Sequence, residues 1–418
     1  MKFGLFYEHQ IPKPRDQEQW DPGAEHKMMK NALDQLELAD GLGFDYVFEV
    51  EHHFLEEYSH SSAPEIFLAA ASQRTKNMRL GHGIVLMPPR YNHPARVAER
   101  ISTLDLVSDG RVEFGTGESA SDQELGGFGV SREDKKQMWE EATRETLKMM
   151  TSTPYSGVEG AYFGMPQRNV VPKPLQKPHP PVWVASSRRE TTMVAARLGI
   201  GSLGFAFETP DEMAERSDQY FSLVRDECYP IGQAINPALG VVNVLSCFDS
   251  DEEAIEKGME GAQFFAYSLA YYYNPFTSGQ HRPGKSNIYK QFIDAPEDQR
   301  WGPFGDAFRT FGGFGGGTPT GEEPKDEVTR ALWRAAQRGG CIGSPEFIKD
   351  ALRKYEEAHL DLMIFVAQCG ARKHEDVMDS IYRTGTKVIP EFKERHHKHQ
   401  EWRERQLEGV EYPVNSSI

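Results

Sequence analysis

The stretch FEVEHHF, residues 48–54, carries Glu49, Glu51, His52 and His53 at the end of an apolar run. Acids and imidazoles are costly to desolvate unless they are paired or used. Four of them at the end of a buried strand leave three readings: metal ligation, general acid–base work, or a mutually satisfied structural cluster. A metal centre needs further ligands from other strand ends, for which His82 and Glu118 are the candidates. No HxH stands at the first strand end, and no lysine or aspartate pattern completes such a site, so no metal is expected. An imidazole titrates near neutrality and can move a proton, which is the acid–base reading.

The segments that must position these residues alternate in period. KFGLFY (2–7), FDYVFEV (44–50), RLGHGIVLMP (79–88), GRVEFGTG (110–117), PVWVAS (181–186), IGSLGFAF (200–207), ALGVVNVLSCF (238–248) and DLMIFVAQ (361–368) are predicted strands. Helices are predicted over 24–43, 64–75, 93–108, 133–150, 188–198, 211–227 and 344–360, with another near 374–395. The first gathers Met28, Ala32, Leu36 and Ala39 on one face, and Pro64 opens the second at a first-turn position. Eight strands alternating with helices predict an α/β fold, a closed (β/α)8 TIM barrel rather than an open doubly wound sheet. Chemistry in that fold sits at the C-terminal ends of the strands, where EHHF lies. No Gly-rich dinucleotide fingerprint follows the first strand.

Residues 1–395 are the predicted barrel domain, with a long insertion over about 274–340 where YNPFTSGQHRPGKSN and FGGFGGGTPTGEEP break the rhythm. GFGGGTPTG (313–321) lacks the context of a phosphate loop and reads as a loop tip. The aromatics of AYSLAYYYNPF (266–276) and TFGGFGG (310–316) either line an apolar pocket or pack the core. Residues 396–418 read as a charged tail, a solvated helix with a frayed end whose HHKH run faces water.

The 418 residues carry 63 acids against 47 bases, a net −16, which argues against general binding to nucleic acid or to anionic membranes. Cys228, Cys247, Cys341 and Cys369 are widely spaced and form no CxxC pair, as reduced buried thiols would be. The apolar run before Glu8 is too short for a signal-peptide core, and no apolar segment reaches the ~20 residues of a membrane span. A soluble cytoplasmic protein is expected.

MKFGLFYEHQ, GFDYVFEVEHHF, RLGHGIVLMPPRYNHPARVAERISTLDLVSDGRVEFGTGES, PVWVASSRRET and GSPEFIKDALRKYEEAHLDLMIFV resemble, in order, the bacterial luciferase-like monooxygenases. The resemblance runs from residue 2 to about residue 390 and omits 274–340. It implies a (β/α)8 barrel that binds reduced FMN from a separate flavin reductase and uses dioxygen on a small organic substrate. It also suggests a homodimer. His52 matches the family's catalytic histidine, while His53 should point the other way along the pleat. The resemblance further implies a non-prolyl cis peptide beneath the flavin, matching His82–Gly83 here, where glycine eases close approach of a flat ring. The alternative is a bulge in an ordinary strand.

At the phosphate site the sequence departs from its relatives. Glu118 stands where the family carries an arginine, so a compensating charge is needed for FMN to bind in the family way. ASSRRET (185–191) runs from the fifth strand into a helix start that favours an anion. It offers Ser186, Ser187, Arg188, Arg189 and Thr191, of which Ser187 matches a family phosphate contact, and Lys136 lies near the place of a second family cation. The leading expectation is a two-component FMN-dependent monooxygenase. A deazaflavin-dependent oxidoreductase of the same barrel superfamily and a non-catalytic flavin-binding relative stand as alternatives.

Overall fold

The computed structural model describes residues 1–186, 188–205, 210–273, 278–295 and 340–418. Strand β1 (Lys2–Tyr7) sends Phe3, Leu5 and Tyr7 into a core shared with the helices and turns Phe6 toward a second, inner core. The same alternation recurs on β2 (Tyr46–Glu49), with Val47 outward and Tyr46 and Phe48 inward. A parallel strand with both faces buried has this pattern because successive side chains point to opposite faces.

The chain continues through β3 (Arg79–His82), β4 (Val85–Leu86), β5 (Val112–Gly117), a hairpin of β6 (Tyr155–Glu159) and β7 (Gly164–Arg168), then β8 (Val182–Ala185), β9 (Gly201–Phe205), β10 (Leu239–Cys247), β11 (Cys341–Gly343) and β12 (Leu362–Val366). The order β12-β1-β2-β3-β5-β8-β9-β10 closes through the pairing of β10 with β12, giving an eight-stranded parallel barrel. All eight strands expected from the sequence are in it. Phe6, Phe48, Trp183 and Ile364 fill the lumen, so the barrel is a packed core with its mouth above these rings.

The first helices are α1 (Ala24–Gly41), α2 (Pro64–Ser72) and α3 (Pro94–Val107). After β5 come α4 (Asp122–Phe128) and α5 (Lys135–Thr151), and after β8 come α6 (Arg189–Arg197), α7 (Pro210–Asp226) and α8 (Asp251–Tyr273). Among the described residues no helix is long and apolar enough to cross a membrane. The four cysteines are buried and none is in a disulfide.

The insertion has more structure than its composition suggested. Residues 278–295 include a helix, Ile288–Asp294, capped by the Asn287 side chain on Lys290 N (2.7 Å). Its Phe292 packs against Phe264 of α8. The Gly-rich segments at 310–316 and 313–321 lie outside the described residues.

The tail differs from the expected solvated helix. In the helix His396–Gln406, the side chains of His399, Trp402 and Arg403 share one face and are buried. Trp402 stacks on His359 with ring centroids 4.1 Å apart, and His399 Nε2 reaches Asp361 Oδ1 at 2.8 Å. Arg403 donates to the same oxygen and to Pro237 O (2.7 Å). Beyond the helix, Ser417 Oγ donates to Glu113 Oε1 at the base of β5 (2.5 Å). The apolar and cationic face at i, i+3 and i+4 binds residues 396–418 to the N-terminal end of the barrel, so they are part of the same packed body rather than a separate appendage.

Burial alone would raise the Asp361 carboxyl, but Arg403 and His399 outweigh it and hold it down to about 2. The depressed folded-state value makes this contribution to stability present above pH ~4 and lost as the pH falls toward 2. Replacing Asp361 with alanine strands a buried guanidinium, which should cost about 3–5 kcal/mol in urea denaturation at neutral pH. A loss below about 1 kcal/mol would show that this carboxylate does not anchor the tail helix.

Candidate active site

Strand parity builds the site. Glu8 follows Phe6 on the inward set of β1, and His52 follows Phe48 and Val50 on the inward set of β2. The register pairs Phe6 with Phe48, so the two chains leave the barrel side by side at its C-terminal mouth. The loop after β2 folds back on them: His52 N donates to Ser61 O (2.8 Å), and Ser59 Oγ donates to Glu8 O (2.8 Å).

His52 stands between two carboxylates. Its Nδ1 lies 3.0 Å from Glu124 Oε1, and because an ionised carboxylate only accepts, this nitrogen is the donor. Its Nε2 lies 3.6 Å from Glu8 Oε2, beyond hydrogen-bond length. Glu124 comes from α4, whose start is capped by Ser121 Oγ on Glu124 N (3.3 Å). Its carboxylate also accepts from His53 N (3.0 Å) and Ser119 Oγ (2.7 Å). Glu8 receives one donor, Tyr58 OH on Oε1 at 2.7 Å, and its buried Oε2 has no partner.

The electrostatics follow from burial and charge together. Burial would lower the His52 imidazole, but Glu124 and then Glu8 outweigh it and raise it to about 9. Burial raises the Glu8 carboxyl to about 7, against the pull of His52 and Tyr58. Glu124 is held below its ordinary value, since His52 and its other donors overcome desolvation. His53 turns to Glu51 Oε1 (3.1 Å), a carboxylate already taken by Leu86 N and Asn92 Nδ2 at 2.8 Å each. Glu49 faces outward to His9 and Ser61, with His9 Nε2 2.8 Å away but not aligned for a hydrogen bond.

The other expected site residues are distributed unevenly. His82 falls on the outer parity of β3 beside Leu80; its ring is buried among the groups of Glu65 and Arg100 and is driven down to about 4 by desolvation. A neutral ring in the helix layer does not line the mouth. The cis peptides of the described residues all precede proline, so His82–Gly83 is trans, and Gly83 N donates to Glu49 O at 2.7 Å. The register advances four residues on β3–β4, Gly81 to Val85, against three on β5, Glu113 to Thr116. The segment is therefore a bulge. A Cβ at Gly83 would meet Phe48 at 3.0 Å and Phe6 at 3.2 Å, so glycine is kept there by the lumen rings.

Glu118 leaves β5 at the mouth and pairs with Lys135 Nζ at 2.8 Å. Lys135, not the exposed Lys136, is the cation that reaches this rim, because it opens α5 on the side facing Glu118 and Ser119 O. The register of Thr116 with Val184 brings the residues that leave β5 and β8, Glu118 and Ser186, to the same edge. Ser186 Oγ is spent on Arg188 O (3.0 Å) and Thr192 Oγ1 (2.7 Å), which fixes the turn into α6. Arg189 leans on α7 through Gln219 (3.2 Å) and Glu215 (3.6 Å). Arg188 is exposed with no ion-pair partner among the described residues, Thr191 is half-buried, and Ser187 lies outside the described residues.

Aromatic rings wall the mouth. Phe205 at the end of β9 meets Phe6 and Phe265, and Tyr273 of α8 approaches His52 with centroids 6.5 Å apart. Ala185, at the end of a central barrel strand, is exposed, so this edge is open. Glu8, Glu124 and Tyr58 were not singled out from the sequence, whereas Tyr273 belongs to the aromatic run 266–276 offered there as a pocket lining or core. Glu8 follows from the inward parity of the first strand, while the S-x-x-E pattern at Ser121–Glu124 marks a helix start without telling which strand end its acid meets.

Fold and site together define a (β/α)8 barrel with an acid–base cluster at its C-terminal mouth. A sequence profile described as luciferase-like monooxygenase matches residues 1–362, and the chain belongs to that family. The oxygenase component of the flavin-dependent trigonelline monooxygenase of Acinetobacter baylyi is 24% identical over 276 residues, 66% of this chain and 72% of its own. The chain spans about half the length of the first curated relatives it matches, both uncharacterised Sinorhizobium fredii proteins. The oxygenating constituent of 3,6-diketocamphane monooxygenase from Pseudomonas putida, solved with FMN, superposes with a TM-score of 0.65 at 19% identity, covering 93% of this chain and 98% of that one. The coenzyme F420-dependent tetrahydromethanopterin reductase from Methanopyrus kandleri superposes with a TM-score of 0.60 at 17% identity, covering 94% and 99%. At these identities the two structures establish the shared barrel.

Replacing Glu124 with glutamine removes the larger of the two charges that hold His52 near 9. The imidazole should then lose at least about tenfold in proton affinity, moving toward its ordinary value, as read by NMR titration of the ring. An unchanged titration would mean that Glu124 is not what keeps the ring charged.

Proposed function

We propose that the protein is the oxygenase component of a two-component flavin-dependent monooxygenase, taking reduced FMN from a separate reductase and oxygenating a small organic substrate with dioxygen. The observation that carries this reading is His52, clamped through Nδ1 and open at Nε2, at the mouth of a barrel of the luciferase-like family. Bound reduced FMN would supply the electrons that activate dioxygen.

The chain's own groups suit the rest of the task. His52 is a proton donor and acceptor at Nε2, aimed inward by strand parity and held in one orientation by Glu124. Phe205, Phe265 and Tyr273 exclude water from one side of the mouth. Arg188 and Thr191 at the start of α6, with Lys135 across the edge, are the residues suited to a phosphate, and Arg188 is an exposed positive group with no ion-pair partner among the described residues. Glu118 is compatible because Lys135 neutralises it.

A second reading, a deazaflavin-dependent oxidoreductase, is favoured by Glu118 at the expected phosphate position and by a superposable coenzyme F420-dependent enzyme. Titration of the protein with FMN, reduced FMN and coenzyme F420 separates the two. The first reading expects tightest binding of reduced FMN and negligible NADH oxidation by the chain alone. Efficient NADH oxidation without a reductase rules out the two-component scheme, and preference for F420 selects the second reading. With the physiological substrate, His52→Ala should lower turnover by roughly 10²–10⁴-fold with flavin affinity nearly intact.

The phosphate assignment has its own test. Arg188→Ala should weaken FMN by about tenfold or more relative to riboflavin, which lacks the phosphate. Arg189→Ala, which breaks contacts to Gln219 and Glu215, should change neither ligand by more than about twofold. Equal losses for FMN and riboflavin in the Arg188 variant would remove that residue from the phosphate site.

A further inference from the structure

The two carboxylates flanking His52 are built for different work. Glu124 accepts three donors, His52 Nδ1, His53 N and Ser119 Oγ, so it is stabilised as an anion and has little use for a proton. Glu8 has a single donor, Tyr58 OH, and its Oε2 is buried, unpartnered and 3.6 Å from the open nitrogen of His52. An ionised carboxylate in that position leaves a buried charge under-satisfied, whereas a protonated one has a hydrogen to offer the facing ring.

We infer that Glu8 is the proton reservoir of His52: one proton moves between Glu8 Oε2 and His52 Nε2, and Glu124 only holds the ring in place. In the forward step, once His52 has passed its Nε2 proton on at the mouth, the O–H bond at Glu8 Oε2 breaks as an N–H bond forms at Nε2, leaving a carboxylate beside an imidazolium. The reverse step restores a neutral acid and a neutral ring. The His52 side chain is 14% exposed and Glu8 only 2%, so the ring edge meets the mouth while the reservoir lies beneath it. The proximity of the two makes Glu8 a positioning partner that acts through His52. The inference rests on the proposed function for its purpose, and on geometry alone for its existence.

Burial raises the Glu8 carboxyl to about 7, so its protonation changes in the range where an enzyme works. The titratable groups that face the pair are Tyr58 and Glu51 from the loop after β2, Glu124 from α4 and Tyr273 from α8, and the charge of the outward Glu49 on β2 also reaches Glu8. The carboxylates among them push both groups toward holding their protons.

The test uses the whole flavin-free chain with isotope-labelled histidine, so it needs neither cofactor nor substrate. The His52 ring resonances of the native protein should respond in two steps, one from Glu8 near pH 7 and one from the ring itself at higher pH. In Glu8→Gln the lower step should vanish, together with the infrared carbonyl band of a protonated carboxyl group, and the ring should lose about tenfold or more in proton affinity. Glu8→Asp should restore a two-step response. Tyr58→Phe retains both partners and removes the donor to Oε1, so the lower step should move to higher pH. A lower step that persists in Glu8→Gln overturns the inference, as does a Tyr58→Phe protein with an unmoved lower step. Failure of the protein to bind reduced FMN would count against the proposed function and leave this titration unaffected.

Discussion

A carboxylate buried as completely as Glu124 requires a positive partner, and His52 Nδ1 at 3.0 Å is the cation within its reach. That contact fixes which ring nitrogen carries the permanent hydrogen, and so fixes which nitrogen faces the mouth. It also explains the local chain path. Ser119 takes a left-handed φ of 64°, Ser121 caps a helix of only seven residues, and the result is Glu124 delivered to the end of β2 rather than to solvent. A short helix has little intrinsic stability, so the buried hydrogen bonds of its Glu124 side chain are a main reason for it to form.

The two ends of the barrel are treated differently. At the N-terminal end, Asp361 gathers Leu239 N, His399 and Arg403, and Ser417 bonds to Glu113 and Tyr46, so the buried carboxylates there have several donors each. At the C-terminal end, the buried Glu8 Oε2 has no hydrogen-bond partner among the described residues. Unsatisfied polar groups raise the energy of the folded state and persist where a ligand or a reaction uses them. Lumen rings from Phe6 and Phe48 form the floor between these ends, and the bulge after β3 fits against them because residue 83 has no side chain.

The barrel was legible because its eight strands are apolar runs of the right length, separated by amphipathic helices. The site was legible only as far as His52. Parity counting from Phe6 reaches Glu8, and the same counting puts His82 with Leu80 on the outer face, so both were within reach of the sequence. Glu124 was not, since nothing in its neighbourhood tells which strand end α4 will meet. Helix α8 hid because its apolar residues are not confined to one stripe: Phe264, Phe265, Tyr267, Tyr271 and Tyr272 are all buried, against the barrel on one side and the insertion on the other. The tail misled by composition. Its charges are real, but His399, Trp402 and Arg403 recur at the spacing of a buried face, and two of these residues are polar groups whose partner, Asp361, is distant in sequence.

The charge arrangement at the open edge follows from the same economy of partners. An acid at position 118 does not make the edge anionic, because Lys135 at the first turn of α5 meets it at 2.8 Å. A lysine at a helix N-terminus is opposed by the helix dipole by about 0.3–1 kcal/mol, so its placement there is explained by Glu118 and Ser119 O rather than by the helix itself. With that pair neutral, Glu118 adds no net charge to the edge.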